Sequence, residues 1–220
     1  MSADGTTWLR HPLVNMVLGF ILTGVLGTAI TQHFLDQREQ KKLSAQVALD
    51  SKQAVQQFSK LNEERKVRAE MLLKALRSDS NDDEVKTAGQ AYEKAYVAWS
   101  VERPGTLLLF RDLLSSENYQ LVETGITESL VGKIFSPIRL CLTTSRGHGD
   151  DRAAVNRTLE ACRIDELLER SSTCSLALAA AVSDLAGTRS EWVSTEDTAE
   201  LQKRARDSIA KQCPSVVADN

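Results

Sequence analysis

Apolar residues are arranged in two ways along this chain. Between Pro12 and Gln32 they run almost unbroken, PLVNMVLGFILTGVLGTAITQ, with no Asp, Glu, Lys, Arg or His among the 21 residues. At a rise of about 1.5 Å per residue such a helix is roughly 30 Å long, the thickness of a bilayer's hydrocarbon core. Beyond Gln32 apolar residues recur every three or four positions on a polar background, the period of amphipathic helices. No alternation long enough for a strand occurs. The pattern predicts an all-α protein. A short tail covers 1–11 and a single N-terminal transmembrane helix 12–32. A long helical stalk that becomes the first bundle helix covers 33–77, an up-down helical bundle 78–214, and a loose tail 215–220.

The stalk helix has neither Gly nor Pro between Thr28 and Ala88 and is rich in Gln, Lys, Glu, Arg, Ala and Leu, all good helix formers. Its apolar positions are Leu43, Val47, Ala54, Phe58, Leu61, Ala69, Leu72 and Leu76. Val47, Phe58 and Ala69 are eleven apart, as are Leu61 and Leu72, a period of about 3.67 and not the 3.5 of a heptad seam. The stretch before Ala54 is too polar to bury much and reads as a spacer or dimeric coiled-coil stalk. The stretch after it reads as a packed bundle helix, with Glu63 to Lys66 as a solvated face.

After a polar break at Ser78 to Asp83, with Asn81 as a cap, Val85, Ala88, Tyr92, Ala95, Tyr96 and Trp99 form a helical stripe. Arg103-Pro104-Gly105 is expected to end that helix, and Thr106 to Leu114 to form a short buried one. A fourth helix is expected from Asn118 through Ile134, interrupted at Pro137 and resuming over Ile138 to Leu142. Ser145 to Asp151 reads as a loop, with Asp150 or Asp151 capping a helix or broken helix pair that runs to Leu185. Gly187 is a stop signal, Ser194 with Asp197 resembles a capping box stapled by Val193, and Pro214 ends the last helix.

The membrane segment carries a marked face: Asn15, Gly19, Thr23, Gly27 and Thr31 recur every fourth residue and are small or hydrogen-bonding. Small residues that let backbones approach drive helix association in lipid, so this row predicts a self-association or partner-helix face. The rival reading of the segment is a cleaved signal peptide, with Gly27-Thr28-Ala29 as the cleavage site, which would leave a soluble exported protein. The apolar run continues through Ile30 and the polar helix follows without a turn, which favours the anchor. Flanking charges, Arg10 and His11 against Arg38, Lys41 and Lys42, lean weakly toward a cytoplasmic body. The cysteines lean the other way. Cys141, Cys162, Cys174 and Cys213 are even in number and too widely spaced for a Cys-x-x-Cys site, which favours disulfides and a body on the exported, periplasmic or extracellular side. Their pairing is one of three possibilities.

Charge adds an exclusion. The chain carries 27 basic and 30 acidic residues, net −3, with no basic patch, so no nucleic-acid partner is expected. No His-x-x-x-His, Gly-x-Ser-x-Gly, Cys-x-x-Cys or phosphate-binding loop is present, so no catalytic, cofactor or metal site is assigned. His148, Asp150 and Asp151 could contribute metal ligands or an enzyme site, but donors in a glycine-containing loop arise readily by chance. The expected role is a membrane-anchored, non-enzymatic scaffold or accessory subunit. Its partner is a second copy or a membrane protein, met through the transmembrane face and stalk. The alternative is a sensor whose pocket is lined by Tyr92, Tyr96 and Trp99, an aromatic stripe that at this spacing is more often core.

Overall fold

The computed structural model describes residues 12–78, 82–149, 151–186 and 195–213, with side chains from Arg38 onward apart from residues 40, 43, 195 and 196. All described elements are helical, in agreement with an all-α chain. They are α1 (Pro12–Arg77), α2 (Asp82–Leu113), α3 (Ser116–Thr124), a π-helical segment (Gly125–Phe135), α4 (Ser136–Gly147), α5 (Arg152–Ala161), α6 (Ile164–Ala186) and α7 (Thr195–Gln212). The chain divides into two compact units after Gln46. In the first, α1 is helical from Pro12, and the described side chains from Arg38 to Gln46 are exposed. The membrane reading of Pro12 to Gln32, and with it Asn15, Gly19, Thr23, Gly27 and Thr31, concerns side chains outside the described residues. Among the described residues no helix is long and apolar enough to cross a membrane. Asn81, Asp150, Gly187, Val193, Ser194 and Pro214, expected at helix ends, also lie outside them.

The second unit, from Val47 onward, is built around one core. From α1 it takes Ala54, Phe58, Leu61, Ala69, Leu72 and Leu76, the predicted stripe. One residue of the face expected to be solvated is in fact buried: Arg65 is 2% exposed. The stripe steps by three or four residues except from Leu61 to Ala69, and position 65 fills that gap in register. Geometry therefore turns Arg65 inward, while Glu63 and Glu64 stay in water.

Helix α2 corrects a second expectation. It runs straight through Pro104 to Leu113. Its inward positions, Gly89, Tyr92, Tyr96, Trp99, Arg103, Thr106, Phe110 and Leu113, step by three and four without interruption. A proline in a helix interior costs about 3 kcal/mol. The burial of Thr106, Phe110 and Leu113 in the same register, at about 1.5–3 kcal/mol for each large apolar side chain, outweighs that cost. Thr106 Oγ1 also donates to the Glu102 carbonyl, 3.2 Å away. Because the helix is continuous, only one side of the LLLF run is inside. Leu108 and Leu109 are 50% and 43% exposed, so the segment is not the buried centre its composition suggested.

The break before α3 falls at Leu114 and Ser115, so α3 starts at Ser116, two residues before the expected Asn118; the Ser115 side chain accepts from the Asn118 amide. The following eleven residues wind as a π-helix, in which each amide reaches five residues back, as Ser136 N–H does to the Val131 carbonyl. Buried residues there come in pairs, Gly125–Ile126, Ser129–Leu130 and Ile134–Phe135, repeating after four and then five residues. Gly125 is needed for close packing: a Cβ there would lie 2.6 Å from Leu178 Cδ2. Pro137 then sits in the first turn of α4, where its missing N–H costs little, and does not break the chain's course. Helix α4 extends to Gly147 because Ser145 continues the inward row Ile138, Cys141, Leu142. The connection to α5 is correspondingly short, and Asp151 caps α5 by accepting from the Ala154 amide at 2.9 Å.

Candidate functional site

Tyr92, Tyr96 and Trp99 do converge, but around a side chain of the protein itself. The Arg65 guanidinium lies 4.1 Å from the Phe135 ring centre, 4.8 Å from that of Trp99 and 5.0 Å from that of Tyr96. Its Nη2 donates to the Phe135 carbonyl at 3.3 Å, where the π-helical segment meets α4. Nε and Nη1 have no acceptor among the described residues, and the Tyr92 hydroxyl lies beside the guanidinium without a well-formed hydrogen bond. Burial pulls the Arg65 guanidinium below its ordinary pKa, opposed by Tyr92 and Tyr96 and reinforced by Arg139. Burial likewise pushes the Tyr92 phenol upward, against the pull of Arg65.

The surroundings are packed. Trp99 Nε1 donates to Asn62 Oδ1 at 2.9 Å, and Asn62 Nδ2 donates to the Phe58 carbonyl at 2.9 Å. Trp99 and Phe135 meet edge to face, with ring centres 5.5 Å apart. Arg103 also lies over Trp99 at 5.0 Å, and Arg139 over Tyr96 at 3.9 Å, held by Glu93 at 3.6 Å. A cavity bordering Trp99 and Arg103 measures about 10 Å³, the space of one water. Three rings around a cation fix α1, α2 and the end of the π-helical segment in register. The place a ligand would take between them is filled by Arg65.

The cysteines form two pairs at disulfide distance. Cys141 and Cys162 have Cα atoms 6.1 Å apart, and Cys174 and Cys213 4.7 Å apart. The first pair ties α4 to the end of α5, and the second ties α6 to the end of α7. His148 Nε2 lies 3.0 Å from Thr158 Oγ1, and Asp151 is engaged as a helix cap. Among the described residues no group of three or more His, Cys, Asp or Glu could hold a metal ion.

An exposed face that sequence reasoning missed lies on α2. Val97, Val101 and Leu108 are 55%, 71% and 50% exposed. At about 100° per residue, Lys94, Ala98, Val101, Gly105, Leu108 and Asp112 form one outward row. A Cβ added at Gly105 would meet nothing within 4 Å. The row was hidden by the expected helix break at Pro104, which splits it in two. Comparison with known proteins finds no match to this chain, whether among family models, curated proteins or solved structures.

Proposed function

We propose that this chain is a single-pass membrane-anchored helical protein that acts as a non-enzymatic scaffold or accessory subunit. In this reading, residues 12–32 span the bilayer, a stalk follows, and an up-down bundle stands on the exported side. Two disulfide-distance pairs support the exported side, since such bonds persist in oxidising compartments. The observation that carries the interaction role is the α2 row, and its fitting partner is a second copy of this chain.

The row is its own complement when reversed. Around a two-fold axis near residue 103, Lys94 meets the copy's Asp112, Ala98 its Leu108 and Val101 its Gly105. Each large residue faces a small one, and opposite charges meet at both ends. Asp112 also has Arg111 as a neighbour at 3.8 Å, a contact the copy's Lys94 would share. An apolar contact of this size is weak between free molecules, but anchoring both copies in one membrane raises their effective concentration.

The test places a cysteine at Val101 in the membrane-embedded full chain and bridges copies with a short bis-maleimide. A trapped dimer is expected, lost in Lys94→Asp and regained in Lys94→Asp with Asp112→Lys. A clean monomer, or a dimer indifferent to both charge changes, overturns the reading.

A further inference from the structure

The two cysteine pairs differ in what reaches them. Cys174 and Cys213 are 0% and 4% exposed, sealed between α6 and α7. Cys141 is 2% exposed, but its partner Cys162 is half-buried and opens onto a surface cleft of about 440 Å³. His148, Arg157 and Thr158 line the same cleft. Cys162 is the residue that closes α5. The next residue, Arg163, has φ 53°, a left-handed conformation that usually takes glycine. The bond is thus anchored next to a turn of unfavourable backbone conformation.

We propose that Cys162 is a thiol–disulfide exchange site for small anionic thiols. The attacking thiolate enters the cleft, drawn by the Arg157 guanidinium, and bonds to Cys162 Sγ. The Cys141–Cys162 bond breaks, and Cys141 leaves with the electron pair and takes a proton from water. Cys141 Sγ lies 3.9 Å from the Thr158 carbonyl, which accepts from the new thiol. A second thiol attacks the mixed disulfide and regenerates a Cys162 thiol, so that two external thiols are oxidised to one disulfide as the protein bond is reduced. Attack on Cys141 is blocked by burial, which sets the direction of exchange. The consequence is local: α4 and α5 lose their link while α6 and α7 keep theirs.

The experiment uses the full chain in detergent micelles, treated with increasing glutathione, then trapped with an alkylating reagent and mapped by mass spectrometry. Adducts are expected on Cys162, with Cys141 alkylated and the Cys174–Cys213 bond intact. Arg157→Glu, at an exposed position, should slow glutathione about tenfold at low salt and leave the cationic thiol cysteamine unslowed. Opening of Cys174–Cys213 at the same or lower thiol concentration, adducts on Cys141, or four free thiols before any treatment would overturn the proposal. Equal slowing of both thiols by Arg157→Glu would overturn it as well, since the preference for anionic thiols would be gone.

Discussion

Replacing Arg65 separates two contributions that a buried guanidinium combines. The side chain fills a space between three rings, and it carries a charge that burial disfavours. Truncation, Arg65→Ala, removes the packing and leaves a cavity, at about 2–4 kcal/mol for a long side chain. It also frees the Phe135 carbonyl, whose hydrogen bond contributes about 1 kcal/mol. Three ring contacts are lost as well, each about 1–2 kcal/mol when desolvated. Against these stands relief of a desolvation cost of several kcal/mol, since no carboxylate pairs with this cation among the described contacts. The charge therefore comes near to breaking even, and volume decides. Arg65→Ala is expected to lose about 2–4 kcal/mol, whereas Arg65→Met, which keeps the volume and lies against aromatic rings, should stay within about 1 kcal/mol of the natural chain. The assay is urea unfolding of the full chain in micelles, followed by far-UV circular dichroism with the disulfides intact. If Arg65→Met costs as much as Arg65→Ala, the cation itself is required and the reasoning fails.

Three further substitutions probe packing and charge. Gly125→Ala puts a methyl 2.6 Å from Leu178, which is 0% exposed and cannot swing out, so thermal melting should show a loss of about 1–3 kcal/mol. Gly132→Ala lies in the same π-helical segment with its nearest contact at 3.5 Å and should be neutral or gain up to about 1 kcal/mol; equal losses at both would mean the winding itself rejects side chains. Asp165 accepts two hydrogen bonds from Arg77, at 2.8 and 2.6 Å, and these hold its carboxyl below the ordinary value. A depressed carboxylate pKa stabilises the fold above about pH 4, and this contribution fades as the pH falls through the folded value. The pair is exposed, so Asp165→Asn should cost under about 1 kcal/mol at pH 7 and nothing near pH 2. A cost that persists at pH 2 would point to packing in place of charge.

Much of the helical architecture is legible in the pattern of residues. The core rows of α1, α3 with its π-helical continuation, α5, α6 and α7 fall on the periodic apolar positions, because burial follows the helix period. Sequence and structure differ where a local signal competes with that period. Pro104 looked like a stop, yet the inward row passes through it unbroken. Arg65 looked solvated by its chemistry, yet it occupies the one vacant step of its row. Ser145 looked like loop by composition, yet it extends the row of Ile138, Cys141 and Leu142. The cysteine pairing was not legible, since it depends on which helix ends meet in space. The aromatic stripe was found, but not its content, because a pocket and a cation-filled cluster share the same spacing. The outward row of α2 needed both the continuity through Pro104 and the exposure of Leu108.

The claim on which the functional account rests is that residues 12–32 anchor the intact chain in a bilayer. Alkaline carbonate extraction of membranes from cells making the full-length chain tests it directly. The account predicts that the chain stays in the membrane pellet at its full mass. Release into the supernatant at full mass, or recovery only as a shorter soluble form lacking the apolar run, would contradict it.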